Sequence, residues 1–163
     1  MSSEVHVDPG MGKEERYRQL LPQLEALLNG ETNTVANESN FCAALHHNMG
    51  FFWTGFYWVD GEQLVLGTFQ GPVACTRIPK GKGVCGTAWS SNQVLIVPDV
   101  NTFPGHIACS SLSQSEIVVP VRDSSGTVIG VLDVDSTEPG FFDEVDAHFL
   151  EQALVILQQK RVA

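Results

Sequence analysis

Residues 103–135 read FPGHIACSSLSQSEIVVPVRDSSGTVIGVLDVD, and their pattern decides the fold. A strand is predicted from Ser115 to Arg122, a turn at Asp123-Ser124-Ser125-Gly126, and a returning strand that ends in Asp133 and Asp135. Ile117, Val119 and Val121 alternate with Val118 and Pro120, so both faces are apolar and both must be covered. Pro120 has no N–H for a ladder and is expected at a bulge or an unpaired position. If Arg122 pairs with Thr127, Glu116 falls opposite Asp133. Side chains alternate with period two, so Asp135 joins them on one face. Opposed like charges destabilise a strand pair by ~0.2–1 kcal/mol, and no Lys or Arg lies near them within these strands. The cluster predicts a cation from outside, either an ammonium group or a metal ion. The plainer reading is a solvated strand end.

The loop ahead of the hairpin carries His106 and Cys109. A thiol with a pKa of about 8.5 is only a few per cent ionised at neutral pH. His106 is a candidate to help ionise Cys109, or else a loop hydrogen-bonder. Two further thiols precede it, Cys75 in the loop Gln70–Lys82 and Cys85 at the start of a short helix over Gly83–Asn92. No CxxC spacing points to zinc. Several thiols in Gly- and Pro-rich segments suit a cycle in which one is oxidised to a sulfenic acid and another resolves it as a disulfide. Cys42 falls on the apolar face of a predicted helix and reads as core.

The chain of 163 residues suits one domain, with 43% hydrophobic and 17% charged residues. Nineteen acidic against nine basic residues give a net charge of −10, which disfavours nucleic acid and anionic membrane surfaces. No apolar run is long enough to span a bilayer, and the polar N-terminus lacks a signal-peptide core. A cytoplasmic protein is expected.

Residues 1–12 are expected to be a flexible tail, and residues 13–163 a single domain. Apolar residues at helical spacing predict a helix over Lys13–Leu28, kinked or split at Pro22, and a second over Thr34–Asn48. Phe51–Val59 and Gln63–Phe69 flank Asp60-Gly61 as a hairpin. Along the first of these strands Trp53, Gly55 and Tyr57 share a face, which suits an apolar pocket wall or plain core. Val94–Val97 is a further strand, Asp99–Ser113 an irregular loop, and Asp143–Gln159 the final helix. Hairpins with terminal helices imply an α+β sandwich built on an antiparallel sheet.

Three segments carry a resemblance: WTGFYWVDGEQLVLGTFQGPVACTRIPKGKGVCGTAW (Trp53–Trp89), VPDVNTFPGHIACSSLSQSEIVVPV (Val97–Val121) and GVLDVDS (Gly130–Ser136). The chain resembles the free methionine-(R)-sulfoxide reductases, which are stand-alone GAF domains. The resemblance implies a GAF fold, with a six-stranded antiparallel sheet, terminal helices on one face and active-site loops on the other. It implies thiol-dependent reduction of free L-methionine-(R)-sulfoxide to L-methionine by a homodimer, with thioredoxin as reductant and no metal or organic cofactor. Cys109 would attack the sulfoxide sulfur, and Cys75, or alternatively Cys85, would resolve the sulfenic acid. Glu116, Asp133 and Asp135 would bind the substrate ammonium, and Trp53 and Tyr57 would bound the thioether. The family has an acidic residue after the nucleophile, where this chain has Ser110. The alternatives are a non-catalytic GAF module binding a small ligand, and a redox sensor.

Overall fold

The structure is a computed structural model that describes residues 4–161. Six strands form one antiparallel sheet: β1 (Trp53–Asp60), β2 (Gln63–Gln70), β3 (Arg77–Pro79), β4 (Leu95–Val97), β5 (Ser115–Arg122) and β6 (Val128–Ser136). Their order across the sheet is β3-β2-β1-β6-β5-β4. Four helices accompany them: α1 (Lys13–Leu28), α2 (Thr34–Met49), α3 (Gly83–Ser91) and α4 (Glu144–Arg161). The α+β sandwich expected from the hairpins is therefore present. The three-residue strand β3 lies inside the segment read as loop.

The alternation along the central strands divides the molecule into two apolar layers. Phe56, Ile117, Val119, Leu132 and Val134 face α1, α2 and α4 and meet Tyr17, Leu20, Leu24, Phe41, Leu45 and Leu150. Tyr57, Leu64, Val118 and Val131 face the other way and meet Val84, Ala88 and Trp89 of α3 together with Val97 and Val100. Cys42 belongs to the helical layer and is fully buried, as its place in the pattern predicted.

A buried polar tie joins the starts of the first and last helices. Asp146 is fully buried and accepts hydrogen bonds from Tyr17 Oη at 2.5 Å and Lys13 Nζ at 2.6 Å. Ionised donors and acceptors of this kind give the shorter, stronger hydrogen bonds. Pro22 does not divide α1, which runs unbroken from Lys13 to Leu28. The carbonyl that Pro22 cannot bond belongs to Arg18, and both residues are exposed, so water can serve it.

The first three residues of the expected tail lie outside the described residues. The segment that follows is laid along α1. Val5 and Val7 pack against the helical layer, while the backbone N–H groups of His6 and Asp8 donate to Gln23 and Gln19, each at 2.9 Å.

The β5–β6 hairpin departs from the predicted register. Arg122 pairs with Val128, the register shifts again between Val121 and Arg122, and Glu116 then lies opposite Asp135. The turn is one residue longer than supposed and the bulge adds another. Either shift alone would have turned the carboxylates to opposite faces. Together they restore the parity, so Glu116, Asp133 and Asp135 do share a face. Asp133 is opposed by Val118 instead of Glu116. Pro120 is at neither a bulge nor an unpaired position, since it lies opposite Val131 with the register shift after Val121; on the β4 side the pairing has already ended at Val118, so that edge asks no donor of it.

Candidate active site

Three adjacent strands build the floor of a cavity on the side away from the helical layer. β1 pairs with β6 so that Trp53 lies beside Asp135 and Gly55 beside Asp133. β6 pairs with β5 so that Asp135 lies beside Glu116. Trp53, Asp135 and Glu116 thus form one row, and Gly55, Asp133 and Val118 the next. Trp53, Tyr57, Cys85, Cys109, His106, Glu116, Asp133 and Asp135 all line this cavity.

Gly55 makes the aromatic wall possible. A Cβ there would collide with Phe69 Cβ and come within 2.6 Å of the Trp53 ring. With none present, Trp53 stacks on Phe69 at 5.2 Å and on Tyr57 at 5.9 Å between ring centroids. Both rings also hold the roof. Trp53 Nε1 donates to the carbonyl of Pro72 at 3.1 Å, and Tyr57 Oη donates to the carbonyl of Cys75 at 2.8 Å. Burial, and then the neighbouring acidic groups, raise the Tyr57 phenol pKa, so it remains a donor.

A disulfide between Cys75 and Cys109, with 5.4 Å between their Cα atoms, joins the two roof loops. Cys85, the alternative to Cys75 as the resolving thiol, is free. It is buried at the N-terminal end of α3, with its sulfur 4.0 Å from Glu116 Oε2. Burial, and then the charges of Asp133, Glu116 and Asp135, push its thiol pKa well up. Cys109, by contrast, sits on an exposed loop.

The three carboxyl groups are almost wholly buried, at 6%, 6% and 9% exposure for Glu116, Asp133 and Asp135. None of the ion pairs among the described residues includes them. Burial raises the pKa of all three, and mutual repulsion raises Glu116 and Asp135 further. Asp133 Oδ1 has no hydrogen-bond partner. With no cation beside them, burial favours the neutral forms of these groups, and a cation placed on this floor would favour their ionised forms.

His106 lies on the same cavity, and burial lowers its ring pKa, which favours the neutral imidazole. Its Nδ1 has no partner. Ser110, where the family pattern has an acid, accepts a hydrogen bond from the N–H of Leu112 at 3.3 Å and so supports the loop locally. The sequence reading passed over Phe52, Ala74, Ile78, Lys82, Val84, Ile107 and Ser113, which also line the cavity. They come from five separate segments, and nothing in their local pattern sets them apart from ordinary loop or core positions.

Among known proteins, the GAF domain family matches residues 39–154 of this chain. GAF domain-containing protein A of Dictyostelium discoideum is 58% identical over 96% of this chain and 99% of its own length. The free methionine-R-sulfoxide reductase of Escherichia coli is 45% identical over 91% of this chain and 90% of its own length. A crystal structure of free methionine-R-sulfoxide reductase from Neisseria meningitidis, in complex with its substrate, superposes with a TM-score of 0.93 at 49% identity, covering 98% of this chain and 96% of that one. The resemblance first carried by three short segments thus extends over nearly the whole length in sequence and in backbone, and the chain belongs to the free methionine-R-sulfoxide reductases of the GAF domain family.

Proposed function

We propose that this chain reduces free L-methionine-(R)-sulfoxide to L-methionine, with residues 13–163 as the working domain. The observation that carries the reading is a single cavity lined both by Cys109 and by three buried carboxyl groups that lack a cationic partner. The substrate ammonium supplies that partner, and the three groups ionise around it. Trp53 and Tyr57 bound the thioether end.

The Cys109 thiolate attacks the sulfoxide sulfur, and the sulfoxide oxygen takes up a proton. Collapse of the adduct releases methionine and leaves Cys109 as a sulfenic acid. The Cys75 thiolate attacks the Cys109 sulfur, hydroxide leaves and is protonated to water, and the Cys75–Cys109 disulfide forms. The crosslink in the structure supports this pairing, and a free Cys85 buried in the cavity lining supports a different use for that thiol. Two electrons from an external dithiol, thioredoxin by the resemblance, restore both thiols. The roof loops part to admit the substrate and close over it, which brings Cys75 to Cys109. Gly71, Gly81 and Gly83, all at positive φ, give those loops their freedom.

A homodimer working in the cytoplasm is the assembly that the family resemblance supports. Among the described residues no helix is long and apolar enough to cross a membrane.

The test is steady-state turnover with thioredoxin, thioredoxin reductase and NADPH. Free methionine-(R)-sulfoxide is turned over, Cys109→Ser is inactive, and N-acetyl-methionine sulfoxide, which lacks the ammonium, is turned over at least a hundredfold less efficiently. An unpaired buried charge costs about 3–5 kcal/mol, and each 1.4 kcal/mol is about tenfold. Turnover by Cys109→Ser would remove the nucleophile assignment, and equal rates on both substrates would remove the ammonium reading.

A further inference from the structure

Cys85 is the cavity thiol that the disulfide leaves unused. We propose that Cys85, Glu116 and Asp133 form a binding site for a thiophilic divalent cation of the zinc class, overlapping the place where the substrate ammonium is read. The inference rests on the reading of the carboxyl floor as a cation site and gives that floor a second occupant.

The geometry comes first. One donor atom from each of Cys85, Glu116 and Asp133 lies within 4.8 Å of the others. Zinc takes sulfur at ~2.3 Å and carboxylate oxygen at ~2.0–2.2 Å in a tetrahedron. Those lengths place sulfur and oxygen roughly 3.6 Å apart. The Cys85 sulfur and Glu116 Oε2 are 4.0 Å apart, a gap that small side-chain rotations close.

The three ligands come from α3, β5 and β6, so the site is preassembled on regular elements. All three side chains are more than nine-tenths buried, which leaves few solvent competitors. Asp133 Oδ1, buried and without a partner, is an open lone pair in this cluster. The fourth position faces the cavity and is open to water, or to Asp135 on the same face.

The donor set also selects the ion. Magnesium and calcium prefer oxygen ligands throughout, whereas a thiolate with two carboxylates favours zinc, cobalt or cadmium. On binding, the thiol proton of Cys85 and any carboxyl protons are released to solvent, and a dication replaces them among three acidic groups. A bound cation and a substrate ammonium cannot occupy the same carboxylates. The metal therefore acts as a competitive brake on the enzyme.

Cobalt is the probe, because a cobalt–thiolate bond gives a near-ultraviolet charge-transfer band. In the oxidised wild-type protein only Cys42 and Cys85 are free among the four thiols. The expected result is a saturable band at one equivalent, kept in Cys42→Ala and lost in Cys85→Ser. Glu116→Gln should weaken cobalt binding by more than about tenfold, since even outer-shell partners are worth ~10–100-fold. Far-ultraviolet circular dichroism confirms that each variant folds. No band in the wild type, a band surviving in Cys85→Ser, or undiminished affinity in folded Glu116→Gln would overturn the site.

Competition separates this inference from the reading beneath it. In the Cys75→Ser/Cys109→Ser protein, where no crosslink closes the roof, free L-methionine should raise the apparent cobalt Kd in proportion to its concentration. Methionine binding detected by calorimetry without a Cys85 band leaves the ammonium reading standing and removes the metal site. Cobalt held through Cys85 but indifferent to methionine supports the metal site and removes the ammonium reading.

Discussion

The phenol of Tyr57 donates a hydrogen bond of 2.8 Å to the backbone carbonyl of Cys75. A rigid strand at the centre of the sheet is thereby attached to the loop that carries Cys75, the proposed resolving thiol. The bond holds Cys75 where it can meet Cys109. Tyr57→Phe keeps the ring against Trp53 and removes only this tether. A net hydrogen bond is worth about 1 kcal/mol, or roughly fivefold. Disulfide closure should slow by about that factor, more than the first release of methionine slows. Rapid quench with mass detection of the sulfenic acid checks this, and an unchanged closure rate would mean that the tether does not place Cys75.

Cys75→Ser separates the two halves of the reaction. The variant should release one equivalent of methionine per chain and then stop, with Cys109 held as a sulfenic acid that a dione reagent can trap. Sustained turnover would transfer the resolving role to Cys85, which is free and lines the same cavity.

Gly55→Ala tests the cramped corner between the aromatic wall and Asp133. The added methyl collides with Phe69 and the Trp53 ring, and overpacking of this kind costs ~1–3 kcal/mol. At ~2–4 °C per kcal/mol for a domain of this size, the melting temperature should fall by several degrees. The displaced Trp53 should also raise KM for the sulfoxide. Unchanged melting and KM together would show that the wall adjusts freely.

Asp143 sets the behaviour in acid at the start of α4. Burial slightly opposes ionisation, but Lys13 at 3.4 Å and the N–H groups of Val145 and Asp146 outweigh it and hold the carboxyl below its usual range. A carboxyl whose folded pKa is depressed adds stability above its unfolded pKa of about 3.9. That stability is lost as the pH falls through the lower folded value. Asn still caps the helix, so Asp143→Asn removes the charge alone. The loss at neutral pH should be under about 1 kcal/mol because the side chain is largely exposed. Urea melts of both proteins should converge below about pH 3. A constant gap at every pH would show that packing, not charge, is what the substitution removes.

Much of this arrangement was legible because it follows from periodicity. The helical spacing through Tyr17, Leu20, Leu24 and Leu28 marked α1 to the residue. The shared face of Glu116, Asp133 and Asp135 followed from period two. That result survived two local errors only because the longer turn and the bulge each shifted the register by one residue. Had either been absent, the same reasoning would have failed. β3 was not legible, since Arg77-Ile78-Pro79 has no alternation to display and pairs through only three residues. The approach of Cys75 to Cys109 was not legible from spacing either, because 34 residues of chain separate them and tertiary packing alone closes that distance. Nor was the docking of Val5 and Val7, two isolated apolar residues in a polar segment whose partner surface exists only once α1 and α2 have packed.

The crosslink between the roof loops gives the molecule two mechanical states. Cysteines separated by 34 positions close a chain loop whose entropy in the unfolded ensemble is worth about 4 kcal/mol. That is a sizeable fraction of the ~5–15 kcal/mol that holds a typical domain together. In the proposed cycle each turnover passes the chain through a stapled form and an unstapled one. The stapled form is the spent one, waiting for electrons. When reductant runs short, the population accumulates in the form most resistant to unfolding and to proteases, and is preserved until the reductant returns.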